Sequence, residues 1–158
     1  MPYYIKKKKK EPLFADKLPK AKVSKKVDLV AKLDKVFSLY IRLRDTMPTG
    51  CFKCISCGQI KPYEQADCGH YFSRRHMATR FDEYNCNAEC RSCNRFSADH
   101  LHGYRDNLIR KIGQRNFDLL EFRSKQFKKF TDFELQERIK YYTNQVSMLK
   151  IQKNIAVK

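Results

Sequence analysis

The sequence predicts an α+β fold: a small cysteine-anchored core with short strands, flanked by α-helices and preceded by a basic arm. Three observations predict it. Two Cys-x-x-Cys pairs, Cys54/Cys57 and Cys90/Cys93, bracket a segment that alternates like a strand around His70. Stretches of helical period lie on both sides of that segment. The chain has 158 residues, 42% of them hydrophobic, which suits one modest core with extensions.

Residues 1–26 hold ten lysines against Glu11 and Asp16. Five consecutive lysines, Lys6 to Lys10, repel one another, and Pro2, Pro12 and Pro19 interrupt regular structure. This segment is expected to be a flexible, disordered basic arm. Over residues 27–46, Leu29, Leu33, Val36, Phe37, Tyr40 and Leu43 follow three-to-four spacing, which predicts a helix ended by Pro48 and Gly50. Residues 51–63 read as a metal knuckle running into a turn at Pro62. Residues 65–73 read as a strand with Cys68, His70 and Phe72 on one side and Tyr71 on the other. Residues 73–84 have no steady period and are expected to be a loop. A short helix is expected over 90–97, and another over 103–112, closed by Gly113. Thr131-Asp132-Phe133-Glu134 is a capping-box signature. After it, Leu135, Ile139, Tyr142, Val146 and Leu149 mark a long amphipathic helix, available to the first helix or to a second copy of the chain. The expected organisation is therefore an arm (1–26), a helix plus cysteine-anchored core (27–113) and a helical extension (114–158).

A two-residue spacer lets two thiolates of one turn face the same ion, so Cys54, Cys57, Cys90 and Cys93 are the expected ligands of a structural zinc. Disulfides and free buried thiols are the alternatives. Cys51, Cys68 and Cys86 are left over. Cys51 with Cys54 would allow a shifted register, and Gly58 favours Cys54/Cys57. No apolar run follows the N-terminal lysines and none is long enough to span a bilayer, so the expectation is a cytoplasmic protein with reduced thiols. The formal charge of +17 is spread over every segment. Nucleic acid is the natural partner of such a chain, because Lys and Arg neutralise phosphates and release counterions.

A knuckle, a hairpin and a helix bearing the second cysteine pair make a treble-clef zinc unit. Such a unit can support phosphodiester hydrolysis when it carries a general base and a divalent cation. The order His70, Asn85, Asn94, threaded between the two cysteine pairs, resembles the HNH (ββα-metal) endonucleases. More narrowly, the chain is similar to the phage NinG/Rap recombination endonucleases. The segments that carry the likeness are Leu39-Tyr40-Ile41-Arg42-Leu43-Arg44-Asp45, Gly69-His70-Tyr71-Phe72-Ser73-Arg74-Arg75-His76 and Cys90-Arg91-Ser92-Cys93-Asn94-Arg95-Phe96. It covers about residues 33–113.

The resemblance implies His70 as general base, Asn85 as the residue that braces its loop, and Asn94 as a ligand of catalytic magnesium or manganese. Many HNH enzymes carry an aspartate just before the histidine. Gly69 stands there in this chain, and Asp67 or His76 could substitute. Arg74, Arg75, Arg80, Arg91 and Arg95 are expected to hold phosphates. His100 and His102 are given no role. The implied substrate is branched recombination DNA, such as Holliday junctions, D-loops and flaps, cut to 5′-phosphate and 3′-hydroxyl ends by a possible homodimer. The alternative is a treble-clef module that binds DNA or RNA without cutting it.

Overall fold

The computed structural model describes residues 28–153. The arm expected over residues 1–26 lies outside the described residues. The first helical stripe forms α1 (Leu29–Arg44), whose first turn is capped by the Asp28 carboxylate accepting from the Ala31 amide at 3.0 Å. Its apolar face, Leu33, Phe37, Tyr40 and Ile41, is buried. The occupant of that face is the last helix of the fold, α5 (Asp132–Lys153). Leu135, Ile139, Tyr142 and Val146 of α5 join the same apolar cluster, and Phe37 meets Tyr142 edge-on at 4.9 Å. The stripe that the sequence offered for self-association is therefore consumed inside the chain. The capping box that starts α5 is formed in both directions: the Glu134 amide donates to Thr131 Oγ1 at 3.2 Å and the Thr131 amide to Glu134 Oε2 at 2.8 Å. At the far end, the Lys153 ammonium donates to the carbonyls of Leu43, Arg44 and Thr46. That places a cation at the negative end of α1.

Between these helices run two antiparallel hairpins. Strands β1 (Cys51–Lys53) and β2 (Ile60–Pro62) form the knuckle, with Phe52 opposite Lys61. Its turn needs Gly58 at φ +72, a conformation that side-chain-bearing residues rarely adopt. Strands β3 (Ala66–His70) and β4 (Cys86–Cys90) pair with Asp67 opposite Glu89 and His70 opposite Cys86. β4 passes directly into α2 (Arg91–Phe96), which carries Cys93 and Asn94.

β3 is shorter than the 65–73 strand expected from alternation. Beyond His70 the ladder gives way: the Tyr71 amide donates to the Asn85 carbonyl at 3.0 Å and the Phe72 amide to the Asn85 side chain at 2.7 Å. Phe72, expected to share a side with His70, instead packs with Tyr71 against a third cluster formed by α3 (His100–Ile112) and α4 (Gln114–Ser124). The α4 helix is not among the expected elements, and α3 begins at His100 rather than at 103. Gly113 ends α3 as expected, its amide donating to the Ile109 carbonyl at 2.8 Å. Among the described residues no helix is long and apolar enough to cross a membrane.

Candidate functional site

The period-two geometry of a strand sorts the β3–β4 hairpin into two faces. Ala66, Cys68, His70, Cys86, Ala88 and Cys90 point to one, and Asp67, Gly69, Asn87 and Glu89 to the other. Each face carries a different chemistry.

On the first face, at the end nearest α2, the ligand atoms of Cys54, Cys57, Cys90 and Cys93 all lie within 4.8 Å of one another. This is the set expected from the spacing, in the Cys54/Cys57 register. The Cys90 amide donates to Cys54 Sγ at 3.3 Å, a contact that favours a thiolate. Burial opposes ionisation of Cys90, but the Ser92 hydroxyl and the Cys93 amide draw its pKa down to about 7. Burial and the neighbouring thiols Cys90 and Cys57 push Cys93 the other way. Four thiols this close cannot all ionise unless a cation offsets the repulsion. The cluster could hold a zinc ion, and four sulfurs leave no position open for chemistry. All seven cysteines are free.

His70 stands at the other end of this face. Its Nδ1 lies 3.3 Å from the Cys68 carbonyl and its Nε2 3.1 Å from the Arg80 carbonyl. Burial lowers its pKa below the ordinary histidine value, and the charge of Arg74 adds to the effect. A neutral imidazole has one N–H, so only one of the two carbonyls receives a hydrogen bond.

Asn85 is fully buried and clasps the loop of residues 71–85 from within. Its Nδ2 donates to the carbonyls of Phe72 at 2.9 Å and Thr79 at 3.0 Å, while its Oδ1 accepts from the Phe72 amide. The loop is a succession of turns, each amide reaching back three residues from His76, Thr79, Asp82 and Asn85. Replacing Asn85 by alanine would take the partner from both the amide and the carbonyl of Phe72 and leave the Thr79 carbonyl with the Asp82 amide alone. We expect Asn85→Ala to cost about 3 kcal/mol, read as a lowered urea midpoint. A loss below about 1 kcal/mol would show that the loop does not depend on this clasp.

On the opposite face Asn94 Nδ2 donates to Asp67 Oδ2 at 3.1 Å. Arg95 grips the same carboxylate with two contacts of 2.6 and 2.9 Å, and Arg91 stands 4.0 Å away. Burial alone would raise the Asp67 pKa; the bonds from Arg95 and Asn94 overcome it and hold the carboxyl below its ordinary value. Of the two candidates for the position that Gly69 leaves empty, Asp67 is thus the one beside Asn94. His76 is carried away by the loop, and its Nδ1 bonds the Ser124 carbonyl at the end of α4 at 2.9 Å.

The five arginines expected to hold phosphates divide. Arg80 is paired with Asp34 and ties the loop to α1. Arg95 is held by Asp67, and Arg91 donates to the Glu64 carbonyl at 2.7 Å. Arg74 and Arg75 are exposed on the loop.

Sequence reasoning missed Glu89, which is fully buried under α3. Its Oε1 accepts from Ser56 and lies 2.7 Å from His100 Nδ1, and Oε2 has no partner. A side chain at position 69 would run into this carboxylate, which gives Gly69 a structural reason. A buried glutamate carries no periodic signal; only its two distant partners mark it.

A family profile described as Bacteriophage Lambda NinG protein matches residues 4–152. Protein ninG of Escherichia phage 933W is 35% identical over 94 residues, which is 58% of this chain and 44% of that protein. Protein ninG of Escherichia phage lambda and of Salmonella phage P22 are each 34% identical over 94 residues, 43% of their own length. The matched stretch thus spans less than half of these relatives. No solved structure matches the chain.

Proposed function

The chain belongs to the bacteriophage NinG family, and from that premise we propose that it is an HNH-type endonuclease, dependent on magnesium or manganese, that cuts branched recombination DNA. The observation that carries the reading is the meeting of Asp67 and Asn94, 3.1 Å apart, at the joint of β3 with the cysteine-anchored helix α2, beside Arg91 and Arg95. His70 lies three residues further along the same strand, on the opposite face of the hairpin, and is held toward its neutral form.

The donor set suits a hard cation: an ionised carboxylate and an amide whose oxygen is free to turn toward the same point. Arg95 is already a positive group bound to that carboxylate, and its side chain is half exposed. A DNA phosphate that drew the Arg95 guanidinium away would uncover both oxygens of Asp67. Bound between Asp67 and Asn94, the cation would stabilise charge on the phosphate and the departing oxygen. His70 stands on the other face of the hairpin, so to take the proton from water its imidazole would have to leave the Arg80 carbonyl and turn past the end of β3 toward the Asp67 side. Asn85 would keep the loop, and with it the imidazole, in place.

The basic charge fits a phosphate-bearing partner, and the host cytoplasm fits free thiols. Association with DNA should weaken steeply with salt. Removing residues 1–26 should flatten that slope while leaving cleavage at low salt, because ten lysines go with the segment. An unchanged slope in salt-titrated binding would show that the arm does not touch DNA. A homodimer matched to the two scissile strands of a junction, if built on α5, would use its outer side, where Phe133, Tyr141, Met148 and Ile151 are exposed. The inner side is buried on α1.

A module that binds nucleic acid without cutting it is the second reading. The covered state of both sites favours it: His70 faces two carbonyls and Asp67 is gripped by Arg95. The deciding experiment is cleavage of four-way junction, flap and linear duplex DNA, with and without magnesium. Metal-dependent cutting of the branched substrates supports the nuclease. Binding with no cutting under any metal condition leaves the second reading.

A further inference from the structure

We propose that Cys68, His70 and Cys86 form a second site for a soft divalent metal, zinc by preference, separate from the four-cysteine cluster. The ligand atoms of these three residues lie within 4.8 Å of one another. The hairpin register brings them together: His70 is directly opposite Cys86, and Cys68 precedes His70 by two residues on the same face. The Arg80 carbonyl completes the group, 3.1 Å from His70 Nε2 and 3.6 Å from Cys86 Sγ.

Two thiolates and one imidazole are a recognised zinc donor set with a fourth position for water or another oxygen. A tetrahedral ion with sulfur ligands at about 2.3 Å holds its ligand atoms about 3.5–3.8 Å apart. Small side-chain rotations would therefore close this cluster. Thiolate sulfur selects zinc over magnesium, so the site does not compete for the hard cation proposed at Asp67 and Asn94. Apolar burial surrounds it, since Cys68 and Cys86 belong to the core cluster under α1. The ion would reach it from the His70 side, which is only partly buried.

A metal here takes the lone pair that His70 needs as a base. The consequence, resting on the nuclease reading above, is that zinc silences cutting through Cys68 and Cys86 while the structural cluster stays filled.

The test uses full-length protein, reduced and loaded with one zinc per chain, titrated with cobalt(II). Wild type should take up one equivalent with the visible bands of a tetrahedral thiolate site. Cys68→Ser/Cys86→Ser should take up none while keeping its zinc, which also reports that it is folded; Cys86→Ser alone should lose most of the band intensity. Wild type that binds no cobalt, or a double variant with the same bands, overturns the site. So does a count of two missing thiols in the folded reduced protein, which would mean a Cys68–Cys86 disulfide. In the cleavage assay, added zinc should inhibit wild type at concentrations that leave the double variant cutting in magnesium. Equal inhibition of both overturns the regulatory consequence. The cobalt titration decides the site even if the protein cuts nothing.

Discussion

Replacing Cys54 by serine should release zinc and unfold the segment between the two cysteine pairs. Cys54 is 1% exposed, at the centre of a small cluster with Phe52, Ala66, Ala88 and Cys90. That cluster is too small to hold two hairpins together unaided. Structural zinc contributes roughly 10–16 kcal/mol to small folding units, comparable with or larger than the whole stability of an ordinary domain, about 5–15 kcal/mol. Serine would leave a buried hydroxyl where the Cys90 amide now finds sulfur at 3.3 Å. Chelation should act similarly. Cys57 is exposed, so Cys57→Ser should be the milder change. The expected record is loss of zinc by metal analysis and collapse of the near-ultraviolet signal. The α1–α5 pair has its own apolar face and should retain part of the helical signal. Well-folded protein with no zinc would overturn the metal assignment.

The knuckle was legible because its information is local. Cys-x-x-Cys-Gly specifies a turn and two ligands within five residues, and the structure forms that turn with Gly58 at positive φ. The α1 and α5 helices were legible because each is long enough for its apolar stripe to hold its period, and the two stripes are buried against each other although α5 also exposes Phe133, Tyr141, Met148 and Ile151. The α4 helix was not. It buries Phe117 and Leu120 but exposes Leu119 and Phe122, so its large apolar residues surround the helix and blur the period. The end of β3 was misjudged for a different reason. Alternation continues through Phe72, but a side chain thirteen residues away, Asn85, captures the Phe72 backbone and bends the chain out of the ladder. Glu89 and His100 follow the same logic. Their meeting depends on α3 crossing the hairpin, and no local pattern encodes a crossing. Asp67 and His76 were both open as substitutes for the aspartate that Gly69 replaces. The parity of β3 and the start of α2 at Arg91, directly after β4, place Asp67 beside Asn94, while the loop carries His76 to the end of α4.

His70→Ala should lower junction cleavage by about 10²–10⁴-fold, the usual contribution of a positioned base. Junction affinity and the tightly held zinc should stay near wild type, because the imidazole bonds only the backbone carbonyls of Cys68 and Arg80 and the four-cysteine cluster lies at the other end of the hairpin face. The pH dependence follows from the direction of its pKa. A base works in its neutral form, and burial together with the Arg74 charge holds His70 below the ordinary value of 6.5. Cleavage should therefore stay on its plateau as pH falls toward 6.5 and decline only further down, as the imidazole protonates. Arg74→Ala removes one cause of the depression, so the decline should move to higher pH, a shift that a purely structural histidine would not produce. His70→Gln guards against a packing artefact, since it fills much of the space beside Cys68 and Cys86 yet cannot act as a base near neutrality. If His70→Ala and His70→Gln both cut four-way junctions at the wild-type rate, His70 is not the base. The binding module then becomes the better account of a chain whose charge and cysteine cluster both remain.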